Sequence, residues 1–105
     1  MSAEEKNLAR LAAASEIGAG PHCVSVNGLH LAVFNVEGKY YAVKNECPHA
    51  GGPLCEGERA DGVVTCPWHG SKFDVRTGAV VNGPAAMPAK TYPVEVRGED
   101  IFVRL

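Results

Sequence analysis

Val24-Ser25-Val26-Asn27-Gly28-Leu29-His30-Leu31-Ala32-Val33-Phe34 reads as a β-hairpin. Asn and Gly both tolerate positive φ, which a tight two-residue turn requires, and β-favouring runs lie on either side. Lys39-Tyr40-Tyr41-Ala42-Val43 follows the next turn signal, Glu37-Gly38, as the expected partner strand. Further turn dipeptides fall at Asp61-Gly62, Thr77-Gly78 and Arg97-Gly98. Near the C-terminus Tyr92, Val94 and Val96 alternate with Pro93, Glu95 and Arg97, and Ile101, Val103 and Leu105 alternate with Phe102 and Arg104. That period of two predicts a closing hairpin whose apolar faces share one core. At most one short helical turn is expected, near Ala13–Ile17. The fold class is all-β.

At 105 residues the chain has the length of one domain, residues 1–105. Its 46% apolar content can fill a core, and 12 Gly with 7 Pro favour short strands and many turns over long helices. A net charge of −2 gives no reason to expect nucleic acid or an anionic membrane as partner. No run approaches the roughly 20 apolar residues of a membrane span. The start, Met1-Ser2-Ala3-Glu4-Glu5-Lys6, lacks the basic and apolar regions of a signal peptide, so a cytoplasmic location is expected. Four cysteines in that compartment point to metal or redox chemistry before disulfides.

The stretch from about 45 to 90 has a different character, with five Pro and seven Gly. Only Val63-Val64-Thr65 and Ser71-Lys72-Phe73 read as strands there. Cys47-Pro48-His49 is followed, after sixteen residues, by Cys66-Pro67-Trp68-His69-Gly70. Each half offers a thiolate and an imidazole close together, and Pro fixes the backbone just past each Cys. Gly51-Gly52 and Gly70 supply backbone that can wrap closely around an inorganic core. Two loops can thus grip one object from two sides. Two Cys and two His also suit tetrahedral zinc. The common zinc spacing pairs like with like, however, whereas each half here mixes Cys and His, which favours iron–sulfur.

Cys47-Pro48-His49-Ala50-Gly51-Gly52-Pro53-Leu54 and Cys66-Pro67-Trp68-His69-Gly70-Ser71-Lys72-Phe73-Asp74 closely resemble the two cluster-binding boxes of the Rieske family. Thr77-Gly78 and Gly83-Pro84-Ala85 resemble its post-box turn and the proline loop over the cluster. The resemblance implies three antiparallel sheets arranged as a sandwich, with a loop-rich cluster-binding subdomain at about 45–85 set into the β scaffold. It implies one [2Fe-2S] cluster, with Cys47 and Cys66 on the inner iron and His49 and His69 on the outer. Ser71, Trp68, Pro84 and Gly70 are expected immediately around those ligands. Two thiolates on an Fe₂S₂ core of charge 2+ leave the oxidised cluster neutral when both His are neutral, which eases reduction relative to four-Cys clusters.

The chain departs from parts of that family. Rieske proteins of quinol-oxidising complexes carry an extra Cys in each box, joined as a disulfide between the loops; here those places hold Gly52 and Trp68. Ser71 matches a hydrogen-bond donor of high-potential members, while Phe73 stands where they have a hydroxyl-bearing Tyr. The resemblance therefore implies a soluble ferredoxin, monomeric and without substrate site or catalysis of its own. It would pass single electrons from a flavoprotein reductase to a terminal oxygenase, docking near His49 and His69. The alternative is the Rieske-like small subunit of an assimilatory nitrite reductase or similar redox complex, and a zinc-stapled interaction module is the non-redox reading.

The remaining candidates have plainer readings. Cys23 and Cys55 are expected to fill small buried sites, in preference to a disulfide or a further ligand. His22 and His30, with no second ligand nearby, are assigned surface or structural roles. Trp68 is expected to shield the cluster and to be available to a redox partner. Pro48, Pro84 and Ala85 are expected to form an apolar collar, and Glu95, Glu99 and Asp100 a solvated edge.

Overall fold

Strand β3, Leu29–Val36, organises the molecule. Successive side chains of a strand point to opposite faces. Leu31 and Val33 enter one hydrophobic cluster, and Ala32, Phe34 and Val36 enter another. Leu31, Ala32, Val33 and Phe34 are all fully buried, so both faces of the strand are covered. The computed structural model describes residues 8–18, 21–48, 51–68, 70–83, 85 and 87–105.

β3 pairs with β2 (His22–Val26) across the Asn27-Gly28 turn and with β4 (Lys39–Lys44) across Glu37-Gly38. All four of those turn residues have positive φ, as the hairpin reading required. β1 (Leu8–Ala13) leads into the helical turn α1 (Ala14–Ile17) and pairs with the C-terminal strand β11 (Asp100–Arg104). A register shift between Arg10 and Ala12 allows consecutive residues Leu11 and Ala12 both to be buried. β1, β11 and β10 (Val94–Arg97) form a three-stranded sheet; β2, β3, β4 and β9 (Thr91–Tyr92) form the second. Between them lie Leu11, Ile17, Leu31, Val33, Ile101 and Val103. Burying an aliphatic side chain of this size contributes about 1.5–3 kcal/mol.

The third sheet is an antiparallel meander of β5 (Glu58–Ala60), β6 (Val63–Thr65), β7 (Lys72–Asp74) and β8 (Val80–Asn82). Val64, Phe73 and Val75 pack with Phe34 and Val43 of the middle sheet. The molecule thus has three antiparallel sheets, as expected, but the 45–90 stretch is more regular than its Pro and Gly content suggested. β5 and β8 are additions to the two strands anticipated there, and β1 was not anticipated at all.

Two expectations need correction. The run from Tyr92 to Arg97 is not one strand. Pro93 has no N–H to give a ladder, and the chain changes sheets at it: Tyr92 pairs with Ala42, while Val94 pairs with Val103. Cys23 and Cys55 are not separate thiols but a disulfide, with Cα atoms 5.1 Å apart. Cys23 shares a face with its partner Ala32, and that face carries the 3-10 turn Leu54–Glu56. Cys23 is exposed rather than filling a buried site, while Cys55 is buried.

His30 lies on the surface with its ring against the Ser25 hydroxyl, 2.7 Å away, and His22 is half-buried. On the acidic edge, Asp100 pairs with Arg10 at 3.0 Å and Glu95 pairs with Arg97 and Arg104. Exposed pairs of this kind contribute at most about 1 kcal/mol.

Candidate metal centre

The two Cys-Pro segments fold into loops with the same backbone frame. In the first, the Cys47 N–H donates to the Gly52 carbonyl at 2.9 Å, and the Gly51 N–H donates to the Cys47 carbonyl at 2.7 Å. In the second, the Cys66 N–H donates to the Ser71 carbonyl at 2.8 Å, and the Gly70 N–H donates to the Cys66 carbonyl at 3.1 Å. Cysteine at position i thus bonds to the glycine at i+4 and the residue at i+5 in both. The shared sequence is Cys-Pro-x-x-Gly, and Gly51 and Gly70 have φ of +76° and +79°. Only glycine takes that conformation without steric cost, so the fifth residue closes each loop over its cysteine.

The loops stand on different supports. The second is the tip of the β6–β7 hairpin, whose last pair is Thr65 with Lys72. The first grows from the end of β4. Its base is an isolated bridge between Glu46 and Pro53, flanked by a Leu54 N–H to Asn45 carbonyl bond of 2.8 Å. The Asn45 side-chain oxygen accepts the Cys55 N–H at 2.7 Å, and the Asn45 backbone N–H donates to the His30 carbonyl at 2.9 Å. Asn45 therefore ties the first loop to β3 and to the 3-10 turn beyond it. The sequence reading passed over this residue; its signal was an Asn at the end of a strand, where a short polar side chain readily bonds backbone groups.

The loops meet at Gly52. A Cβ added there would lie 2.7 Å from the Cys66 sulfur and 3.0 Å from Cγ of the Trp68 ring. Gly52 is thus hydrogen-bonded to one cysteine and in van der Waals contact with the other. It also faces Trp68, so the two places where a loop-bridging disulfide would sit are filled by a glycine under an indole. Trp68 is 58% exposed. Part of its ring covers Gly52, and more than half of the residue is open to solvent.

Cys47 and Cys66 are both buried, and neither is in a disulfide. Each lies in the hydrophobic cluster between the second and third sheets, with Leu54, Phe73 and Ala85. Ser71 is fully buried, and its hydroxyl oxygen accepts the Ala85 N–H at 3.0 Å, which leaves the hydroxyl proton for another acceptor. Of the residues expected to form an apolar collar, Ala85 is buried and Pro48 is exposed. Phe73 is core, with no polar group near the cysteines from that position. His49, His69 and Pro84 lie outside the described residues.

This donor set fits an inorganic sulfur–iron core. A buried thiolate needs a cation beside it, and two such sulfurs whose loops meet at Gly52 can share one. Three antiparallel sheets carrying two Cys-Pro loops with buried sulfurs form an architecture suited to an iron–sulfur protein. The chain belongs to the Rieske [2Fe-2S] domain family, which matches residues 7–93. It is 42% identical over 81 residues to the biphenyl dioxygenase ferredoxin subunit of Pseudomonas sp. (strain KKS102), covering 76% of this chain and 74% of that one. The structure of the Sphingomonas yanoikuyae B1 ferredoxin superposes with a TM-score of 0.88 at 32% identity, covering 94% of this chain and 99% of that one. A chain in the complex of reduced oxygenase and oxidized ferredoxin in carbazole 1,9a-dioxygenase superposes with a TM-score of 0.87 at 32% identity, over 93% of each chain. The cofactor of this family is a [2Fe-2S] cluster, and the function of the chain is electron transfer rather than catalysis.

Proposed function

We propose that Cys47, His49, Cys66 and His69 hold one [2Fe-2S] cluster, and that the chain carries single electrons from a flavoprotein reductase to the oxygenase of a dioxygenase system. The observation that carries the reading is the matched hydrogen-bonding of the two Cys-Pro-x-x-Gly loops around buried sulfurs. When bound, the cluster supplies a one-electron acceptor that changes charge by one unit. The chain's part is to fix that acceptor and to tune it. The Cys47 and Cys66 thiolates are delivered from backbone whose polar groups are already satisfied, so the sulfurs are held without rearrangement. The Ser71 hydroxyl, anchored by the Ala85 N–H, has a proton to direct at a cluster sulfur, which favours the more negative, reduced state.

Pro48, Trp68 and Met87 are exposed, Pro48 and Met87 line one groove with Cys47 and Gly51, and together they give a redox partner an apolar rim beside the cysteine loops. A small interface of this kind suits a carrier that must leave after each transfer. No helix among the described residues is long and apolar enough to cross a membrane. A cytoplasmic monomer is the form this reading assigns to the protein, with residues 45–85 acting as the cluster-binding subdomain.

The test is a low-temperature EPR spectrum before and after dithionite, with iron and acid-labile sulfide measured on the same sample. A silent oxidised protein that gains a rhombic signal, with an average g value below that of four-Cys clusters, is the expected result. One equivalent of zinc, no sulfide and no signal would replace the carrier with a metal-stapled module.

A further inference from the structure

Near the first loop the described structure places a feature that electron transfer by the cluster does not use: the Cys23–Cys55 disulfide. Its two ends differ. Cys23 is exposed on β2, the edge strand of the second sheet, while Cys55 is buried beneath the base of the first loop. Cys55 is also tied by its N–H to Asn45, two residues ahead of Cys47. The bridge spans 32 residues of sequence and joins the middle sheet to the first cysteine loop, whose foot is an isolated bridge where the second loop has a regular hairpin.

We infer that this disulfide is a thiol-exchange site that sets how firmly the first loop holds the cluster. An inter-loop disulfide is absent here, with Gly52 and Trp68 in its place, and the Cys23–Cys55 bridge braces one loop from below instead. The reactant it takes is a small or protein dithiol. The thiolate of that reactant attacks the sulfur of Cys23, the exposed end of the bridge, forming a mixed disulfide and breaking the bond to Cys55, whose sulfur leaves as a thiolate and takes a proton. The second thiol of the reactant then resolves the mixed disulfide. The reactant ends as a disulfide, and Cys23 and Cys55 end as two thiols, a balanced two-electron, two-proton reduction. Attack at Cys55 is disfavoured by its burial, so the exchange has one direction of entry. When the surrounding dithiol pool becomes more reducing the bridge opens and the first loop loosens, and when it becomes more oxidising the bridge re-forms.

The inference rests on the reading that the two loops hold the cluster, and the experiment separates the two. Holoprotein, its iron and sulfide already measured, is incubated with dithiothreitol at neutral pH. Alkylation followed by mass spectrometry reads the two thiols, while visible circular dichroism follows the cluster. The expected result is reduction at Cys23–Cys55 in folded protein, with cluster loss about tenfold faster than in untreated protein. The Cys23→Ser variant, whose changed residue is exposed, should show the fast loss without dithiothreitol and no further acceleration with it. If iron and sulfide are absent at the outset, the cluster reading fails, and exchange is still scored by alkylation. Free thiols in air-purified protein overturn the inference, as does a bridge that opens only on unfolding. Reduction that leaves cluster lifetime unchanged overturns it too.

Discussion

The two cysteine loops share a backbone frame but not a foundation. The second loop is the end of a ladder: β6 and β7 run antiparallel from Val63–Asp74 through Thr65–Lys72, and Cys66 to Ser71 continues the same pairing. The first stands on the isolated Glu46–Pro53 bridge and the backbone bonds of Asn45 to Leu54 and His30, to which the Asn45 side chain and the Cys23–Cys55 disulfide add. Their ligand offsets differ as well. In the first loop His follows Cys by two residues, in the second by three, although glycine follows by four in both. The same backbone frame thus carries its cysteine at one place and its histidine at positions one residue apart in sequence. Backbone hydrogen bonding can therefore fix a cysteine loop without fixing what supports it.

The largest effect expected is loss of either thiolate. Cys47→Ser and Cys66→Ser should each abolish the cluster, with iron and sulfide falling near zero. An equal loss from both would agree with a single shared centre. A cluster that survived in Cys47→Ser but not in Cys66→Ser would break the equivalence of the loops and with it the proposed ligand set.

Next come the equivalent i+5 positions, Gly52 and Ser71. Gly52→Ala places a methyl 2.7 Å from the Cys66 sulfur, closer than Cβ atoms come. Overpacking a tight site costs typically 1–3 kcal/mol, about 2 here, and the expected outcome is reduced cluster occupancy together with a lower Tm. Ser71→Ala leaves the frame intact but removes the acceptor of the buried Ala85 N–H, at a cost of about 1–3 kcal/mol. It also removes a donor available to a cluster sulfur, so the midpoint potential should fall while occupancy stays near normal. Potentiometry and iron content on the pair distinguish a position that must be empty from one that tunes. A Ser71→Ala protein with an unchanged potential would remove the tuning role.

Much of this contrast was visible in the sequence. The Asn27-Gly28 and Glu37-Gly38 turns put β2, β3 and β4 in register, because positive φ at paired turn residues leaves few alternatives. Both Cys-Pro boxes stood out by spacing. What escaped notice depended on partners distant in the chain. β1 is Leu8-Ala9-Arg10-Leu11-Ala12-Ala13, poor in β-branched residues, and is a strand because β11 offers an edge. β5 and β8 are three residues each and carry too little pattern to be read alone. The disulfide could not be deduced, since four cysteines allow several pairings and nothing local sets Cys23 above Cys55. The split at Pro93 was written in the sequence, but a period of two across it was read ahead of the missing N–H.

The smallest expected effect lies in the foot of the first loop. Asn45→Ala removes the side-chain oxygen that accepts the Cys55 N–H and leaves the backbone bonds of Asn45 to Leu54 and His30 in place. A part-buried amide without its acceptor costs about 1 kcal/mol, which corresponds to roughly fivefold faster hydrogen exchange if the loss is confined to local opening. Acceleration is expected at the Cys47, Gly51 and Leu54 amides and not at Cys66 or Gly70, whose loop stands on β6 and β7. The two loops touch through Gly52 and the Cys66 sulfur, so the alternative is that they open together as one unit. Equal acceleration in both loops would mean that the contact at Gly52, rather than each loop's own foot, sets the stability of the site. The disulfide below the first loop would then brace the second as well.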